Sequence, residues 1–107
     1  MDFDLWEKVL WYTNCQKYNL VNKSFISDKV FKTKCAEKYV INKFLYAWID
    51  RPDADPFDIL DNLIFTYCLW KTDAINYEKN ESLVDLYNIY IKTLINIKNY
   101  MKKELKL

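Results

Sequence analysis

Three groups of residues in this chain carry reactive or charged chemistry: the cysteines, a run of aspartates near the middle, and lysines gathered upstream of it. Cys15, Cys35 and Cys68 are widely spaced with no C-x-x-C pair, so a zinc site is not expected. The chain has no histidine, which removes Ser-His and Cys-His nucleophilic pairs and the commonest metal ligand. A neighbouring lysine is the only activator left for a thiol. An odd cysteine count with no secretion signal reads as reduced thiols in a cytoplasmic protein, packed as small apolar residues.

The aspartates are Asp50, Asp53, Asp55, Asp58 and Asp61. A calcium loop of EF-hand type needs a glycine at its sharp turn and acids at alternating early positions. Here those positions fall on Pro52 and Ala54, or on Phe57, and the chain contains no glycine at all. A carboxylate pair for sugar hydrolysis needs a cleft that a small helical domain hardly provides. Helix capping and solvation are the expected role, with docking of a basic partner as the functional one.

Charge is segregated although the net charge is only +1. Residues 17 to 43 hold seven lysines against Asp28 and Glu37, and residues 50 to 85 hold nine acids against Arg51, Lys71 and Lys79. Lys23, Lys29, Lys32, Lys34 and Lys38, interleaved with Tyr18, Phe25, Phe31 and Tyr39, form a candidate basic patch for a nucleic-acid backbone. Arginine, the preferred residue for phosphate and base forks, occurs once. A solvated lysine face is therefore expected, and nucleic acid is the alternative partner.

The missing glycine has a wider consequence. Phosphate-cradling loops, dinucleotide fingerprints and nucleophile elbows all need it, and tight hairpins favour it. These absences point to a protein that is not an enzyme and needs no cofactor or metal. Lysine outnumbers arginine fifteen to one, and asparagine and isoleucine number ten each, which suggests an AT-rich coding genome such as that of a low-GC bacterium or its phage.

The elements that hold these residues read as helices. With 107 residues, 51% of them hydrophobic, the chain is long and apolar enough for one domain, 1–107, with its own core. Asp50 to Pro56 carries both prolines and breaks the chain. Asp55 is a good N-cap, Pro56 suits the first helical position and Asp58 falls in the first turn. The helix from Pro56 to about Tyr77 carries an apolar face of Ile59, Leu60, Leu63, Ile64, Tyr67, Cys68, Trp70, Ala74 and Ile75. Asn80 or Ser82 caps the next helix, which runs to about Lys103. Its Leu83, Tyr87, Tyr90, Leu94, Ile97 and Met101 make a heptad seam. Upstream, Lys34 to Asp50 and Asp4 to Lys17 read as helices, the former with Tyr39 and Ile49 on its apolar face. Residues 18 to 33 read as a loop, with either a helix beginning near Ser27 or an extended piece at Val30 to Lys32. The sum is an all-α bundle of about four helices, up-and-down, with the last two longest.

Surplus apolar surface is the remaining clue. The last helix is polar only along Asp85, Asn88, Lys92, Asn96, Asn99 and Lys103. Either it is central and packs on three neighbours, or Leu86, Ile89 and Tyr100 extend into a partner interface. Phe65 and Leu69 sit one turn apart on the side away from the Pro56 helix's core stripe, and are either covered by the first helix or offered to a partner. No apolar run approaches the roughly 18–20 residues needed to span a bilayer, so no membrane role is expected. The expected function is a non-catalytic protein-binding domain, an inhibitor or regulator from a mobile element. Its partner is another protein or a second copy in a homodimer.

Overall fold

The computed structural model describes residues 1–15 and 28–107, whose elements are the helices α1 (Phe3–Cys15), α2 (Asp28–Asp50), α3 (Pro56–Asp73) and α4 (Glu81–Leu105). After Asp73, α3 widens without a break into a π-helical turn over Ala74–Glu78. The expected Lys23, Tyr18, Phe25 and a start at Ser27 lie outside the described residues, as does the end of the first predicted helix.

The starts of α1, α3 and α4 are each set by a side chain. Asp2 Oδ1 accepts the Leu5 amide at 3.0 Å, Asp55 Oδ1 accepts that of Phe57 at 2.9 Å, and Asn80 Oδ1 accepts that of Leu83 at 3.2 Å. These bonds satisfy amides that the first helical turn leaves without partners. Of the two caps expected for α4, Asn80 is the one used. Asn80→Ala should cost about 1 kcal/mol and lower the melting temperature by roughly 4–8 °C, read by thermal denaturation. Helix ends normally turn on glycine. Here Lys79 (φ 49°) and Lys106 (φ 57°) adopt the left-handed conformation instead, at about 1–2 kcal/mol each.

The core forms where the apolar rows of α1 to α4 meet. It contains Leu5 and Val9 of α1, Val40, Ile41, Phe44, Leu45 and Trp48 of α2, Ile59, Leu60 and Tyr67 of α3, and Tyr90, Leu94, Ile97 and Met101 of α4. The α4 members are the deeper part of the predicted heptad seam. α4 packs against α1, α2 and α3, so it is the central helix. Its breadth of apolar surface follows from that position, because a helix with three neighbours needs an apolar face toward each. α1 is fastened at both ends. The Trp6 indole N–H donates to the Leu45 carbonyl at 3.2 Å, and the Tyr12 ring stacks on Tyr100 with centroids 4.2 Å apart.

Several expectations are corrected. α2 begins at Asp28, so Val30 to Lys32 is helix and not an extended piece. Cys35 and Cys68 are exposed free thiols and not core residues. On α3 the buried row is Leu60, Tyr67 and Ala74, each seven residues from the next, and Cys68 falls about 100° off that row. Trp70 and Ile75 on α3, and Tyr39 and Ile49 on α2, are likewise exposed. The apolar faces read from sequence were broader than the strips their neighbours cover.

Candidate partner-binding face

Tyr67 fixes how α3 is oriented. Its side chain is 2% exposed and directed into the bundle, so residues two before and two after it fall near the opposite side. Those residues are Phe65 and Leu69, 64% and 51% exposed. They are not covered by α1, which makes no substantial contact with α3. Helical spacing puts Asp58 and Asn62 on the same stripe, with Asp61 and Asp73 on its two flanks. All four are exposed. Among the described residues, Asp61 alone of these acids is held in an ion pair, to Lys98 Nζ of α4 at 2.6 Å. The outer side of α3 is thus an apolar pair bracketed by carboxylates.

The structure separates the other candidates from that pair. Leu86, Ile89 and Tyr100 are half-buried and packed against the core, because they supply α4 with its side contacts to α2 and α1. The Tyr100 hydroxyl donates to the Lys8 carbonyl at 3.4 Å, and its stack on Tyr12 leaves little ring to offer. Leu86 and Ile89 line a groove of about 560 Å³ between the starts of α2 and α4, together with Lys29, Lys32, Ala36 and Leu83.

The lysines do not form one patch. Lys29 and Lys32 face that groove, whereas Lys34 and Lys38 are half-buried on the other side of α2. There Lys38 Nζ donates to Asn14 Oδ1 of α1 at 2.7 Å. The spacing explains the split: at about 100° per residue, 29 and 34 point some 140° apart. Among the described residues, no group of three or more cysteines and carboxylates is placed to hold a metal ion. No helix among them is long and apolar enough to cross a membrane.

Sequence reading missed an aromatic cluster. Tyr39 of α2, Tyr67 and Trp70 of α3, and Tyr87 and Tyr90 of α4 meet where the three helices converge. Tyr67 lies 5.5 Å from Trp70, 6.2 Å from Tyr87 and 4.9 Å from Tyr90, centroid to centroid. Tyr39 reaches Tyr90 at 5.6 Å, and Lys43 Nζ sits 5.9 Å from the centroids of both Tyr39 and Tyr67. Edge-to-face and tilted pairs at such distances are favourable, and a cation near two ring faces adds to them. The signal in the sequence was the high count of tyrosine and tryptophan, but no spacing rule says which rings from three helices will meet.

Burial pushes the phenols of Tyr67 and Tyr90 up to about 12, and the neighbouring Tyr39 adds to both shifts. The neutral form is favoured in the folded state, so above the ordinary phenol range the unfolded chain binds fewer protons than the folded one. Their contribution to stability is therefore fully present below about pH 10 and is lost as pH rises toward about 12. Denaturant unfolding at stepped alkaline pH should show this decline beginning near pH 10. Ultraviolet titration should show part of the tyrosine signal ionising only with unfolding.

Comparison with protein-family models, with curated proteins and with solved structures finds no match to this chain, so its functional reading rests on the geometry above.

Proposed function

We propose that this chain is a non-catalytic protein-binding domain, of the inhibitor or regulator kind, that docks the outer side of α3 on a basic partner protein. The observation that carries the reading is the Phe65–Leu69 pair: two large apolar side chains, one turn apart, more than half exposed on the side opposite the buried row. Apolar residues that touch solvent singly are ordinary, but an adjacent pair on one helix offers a seat for an apolar ridge. Trp70, about 100° round the helix from Leu69 and 44% exposed, offers α3 a second exposed ring, and tryptophan is a common anchor in interfaces. The partner's charge follows from Asp58 and Asp73 beside the pair, Asp61 being already paired to Lys98, because acidic groups steer a basic surface and disfavour an acidic one.

The free thiols of Cys35 and Cys68 fit a reducing, cytoplasmic setting. The nucleic-acid alternative has less support, since Lys29 and Lys32 point away from Lys34 and Lys38.

The test is paired capture from extracts of the source cell with the wild-type chain and a Phe65→Lys/Leu69→Lys variant. A protein held by the first and released by the second would then be purified and titrated at two salt concentrations. Binding that weakens with salt supports the reading. Identical capture by both chains, or no specific capture by either, overturns it. Light scattering across concentration separates out a second copy of this chain as the occupant.

A further inference from the structure

At the end of α3 lies a recess of about 330 Å³ whose walls are Trp70 and Tyr87 and whose rim is Asp73 and Glu78. The π-helical turn brings this set together. In a continuing α-helix at about 100° per residue, positions 73 and 78 would point roughly 140° apart. π spacing, with its i→i+5 bonds, brings residues five apart onto one face of the helix, and such turns are frequent at functional sites. Both carboxylates line the recess, and neither is held in an ion pair or hydrogen bond with a described residue. The two rings stand edge to face at an interplanar angle of 61° with centroids 6.0 Å apart.

We propose that this recess receives an arginine side chain of the protein that docks on α3. The proposal rests on that docking reading and names the basic group the partner would bring. A planar guanidinium stacks on aromatic faces and presents five N–H donors to carboxylates, so it uses both the walls and the rim. A neutral apolar side chain would use only the walls, and an acidic one would be repelled by the rim. One further observation points the same way. The aromatic cluster already attracts a cation of this chain, since Lys43 Nζ stands 5.9 Å from the Tyr39 and Tyr67 centroids. The basic residues nearest in sequence do not fill the recess: Lys79 lines a separate hollow with Ala74 and Ile75, and Lys71 is not among the lining residues.

The experiment needs no partner protein. The folded chain is titrated with N-acetyl-arginine methylamide, and the indole N–H resonance of Trp70 is followed by NMR after assignment with Trp70→Phe. N-acetyl-citrulline methylamide, which has the same shape without the charge, is the control. The expected result is a saturable shift with the arginine probe in the millimolar range and none with citrulline. The arginine affinity should fall about tenfold or more in Asp73→Asn/Glu78→Gln, whose spectrum otherwise overlays that of the wild type. An unmoved Trp70 resonance, equal shifts from the two probes, or an undiminished shift in the variant overturns the proposal. Such a failure leaves the Phe65–Leu69 reading standing, because that reading is tested by capture; an arginine shift together with unaltered capture by the Phe65→Lys/Leu69→Lys chain would overturn the docking reading instead.

Discussion

Trp48→Ala should lower the stability of this chain by about 3–5 kcal/mol, the largest loss expected from any single truncation in the core. The indole is 1% exposed, lies 5.6 Å from the Phe44 ring and sits in the last turn of α2. Its backbone carbonyl accepts the Arg51 amide at 3.1 Å where the chain leaves that helix. Removing the indole takes away buried area and leaves a cavity, and rigid helices on several sides limit how far the site can collapse. A domain of this size typically has about 5–15 kcal/mol of stability, so the variant stands close to the unfolding threshold at ordinary temperature. The melting temperature should fall by roughly 12–40 °C, followed by far-UV circular dichroism. A loss below about 1 kcal/mol would mean that the end of α2 is not packed as described. Trp48→Phe, which keeps a ring in the site, should lose less.

Phe65→Lys/Leu69→Lys should have the opposite profile, with binding lost and folding kept. Both side chains point to solvent, so replacing them changes stability by no more than about 0.5 kcal/mol per site. In an interface the same residues would be anchors. Truncating a hot-spot residue costs about 2 kcal/mol or more, and two lysines there bring buried charge as well, so affinity for the captured partner should fall by at least about a hundredfold. Leu86→Lys/Ile89→Lys is the matched control on α4. Those residues are half-buried against the core, so the change should destabilise the fold by about 3 kcal/mol or more and lose binding only through unfolding. Melting curves and titrations of the two double variants together separate an interface from a core. If the α3 variant melted like the α4 variant, Phe65 and Leu69 would be structural and the docking reading would be wrong.

The helical nature of the chain and most of its boundaries were legible without coordinates. The pair Asp55-Pro56, Asn80 ahead of an apolar heptad, and the absence of glycine act within a turn or two of chain, and local rules suffice for them. The heptad seam of α4 was legible for the same reason, since periodicity along one helix is a property of that helix alone. Where the local signal was mixed, at residues 28 to 33, a helix start near Ser27 and an extended piece both stood open, because helix-favouring lysines alternate there with β-branched and aromatic residues; the helix is the one that forms.

Two features of the candidate face were decided by tertiary structure. The sequence determined that this protein is a set of amphipathic helices with no histidine and no glycine, carrying lysines at 17 to 43, acids at 50 to 85 and lysines again at its C-terminal end. It also marked Phe65 and Leu69 as lying off the core stripe. It left open whether those two, or Leu86, Ile89 and Tyr100, would meet solvent, because apolar periodicity says which residues share a face and not how many neighbours cover it. Placing α4 at the centre half-buried the second set against the core and left the first exposed. The meeting of Trp70 with Tyr87, and of Asp73 with Glu78 across a π turn, likewise appeared only once α3 and α4 were packed together. A ring contact between helices depends on their crossing and register, which no spacing within either helix encodes.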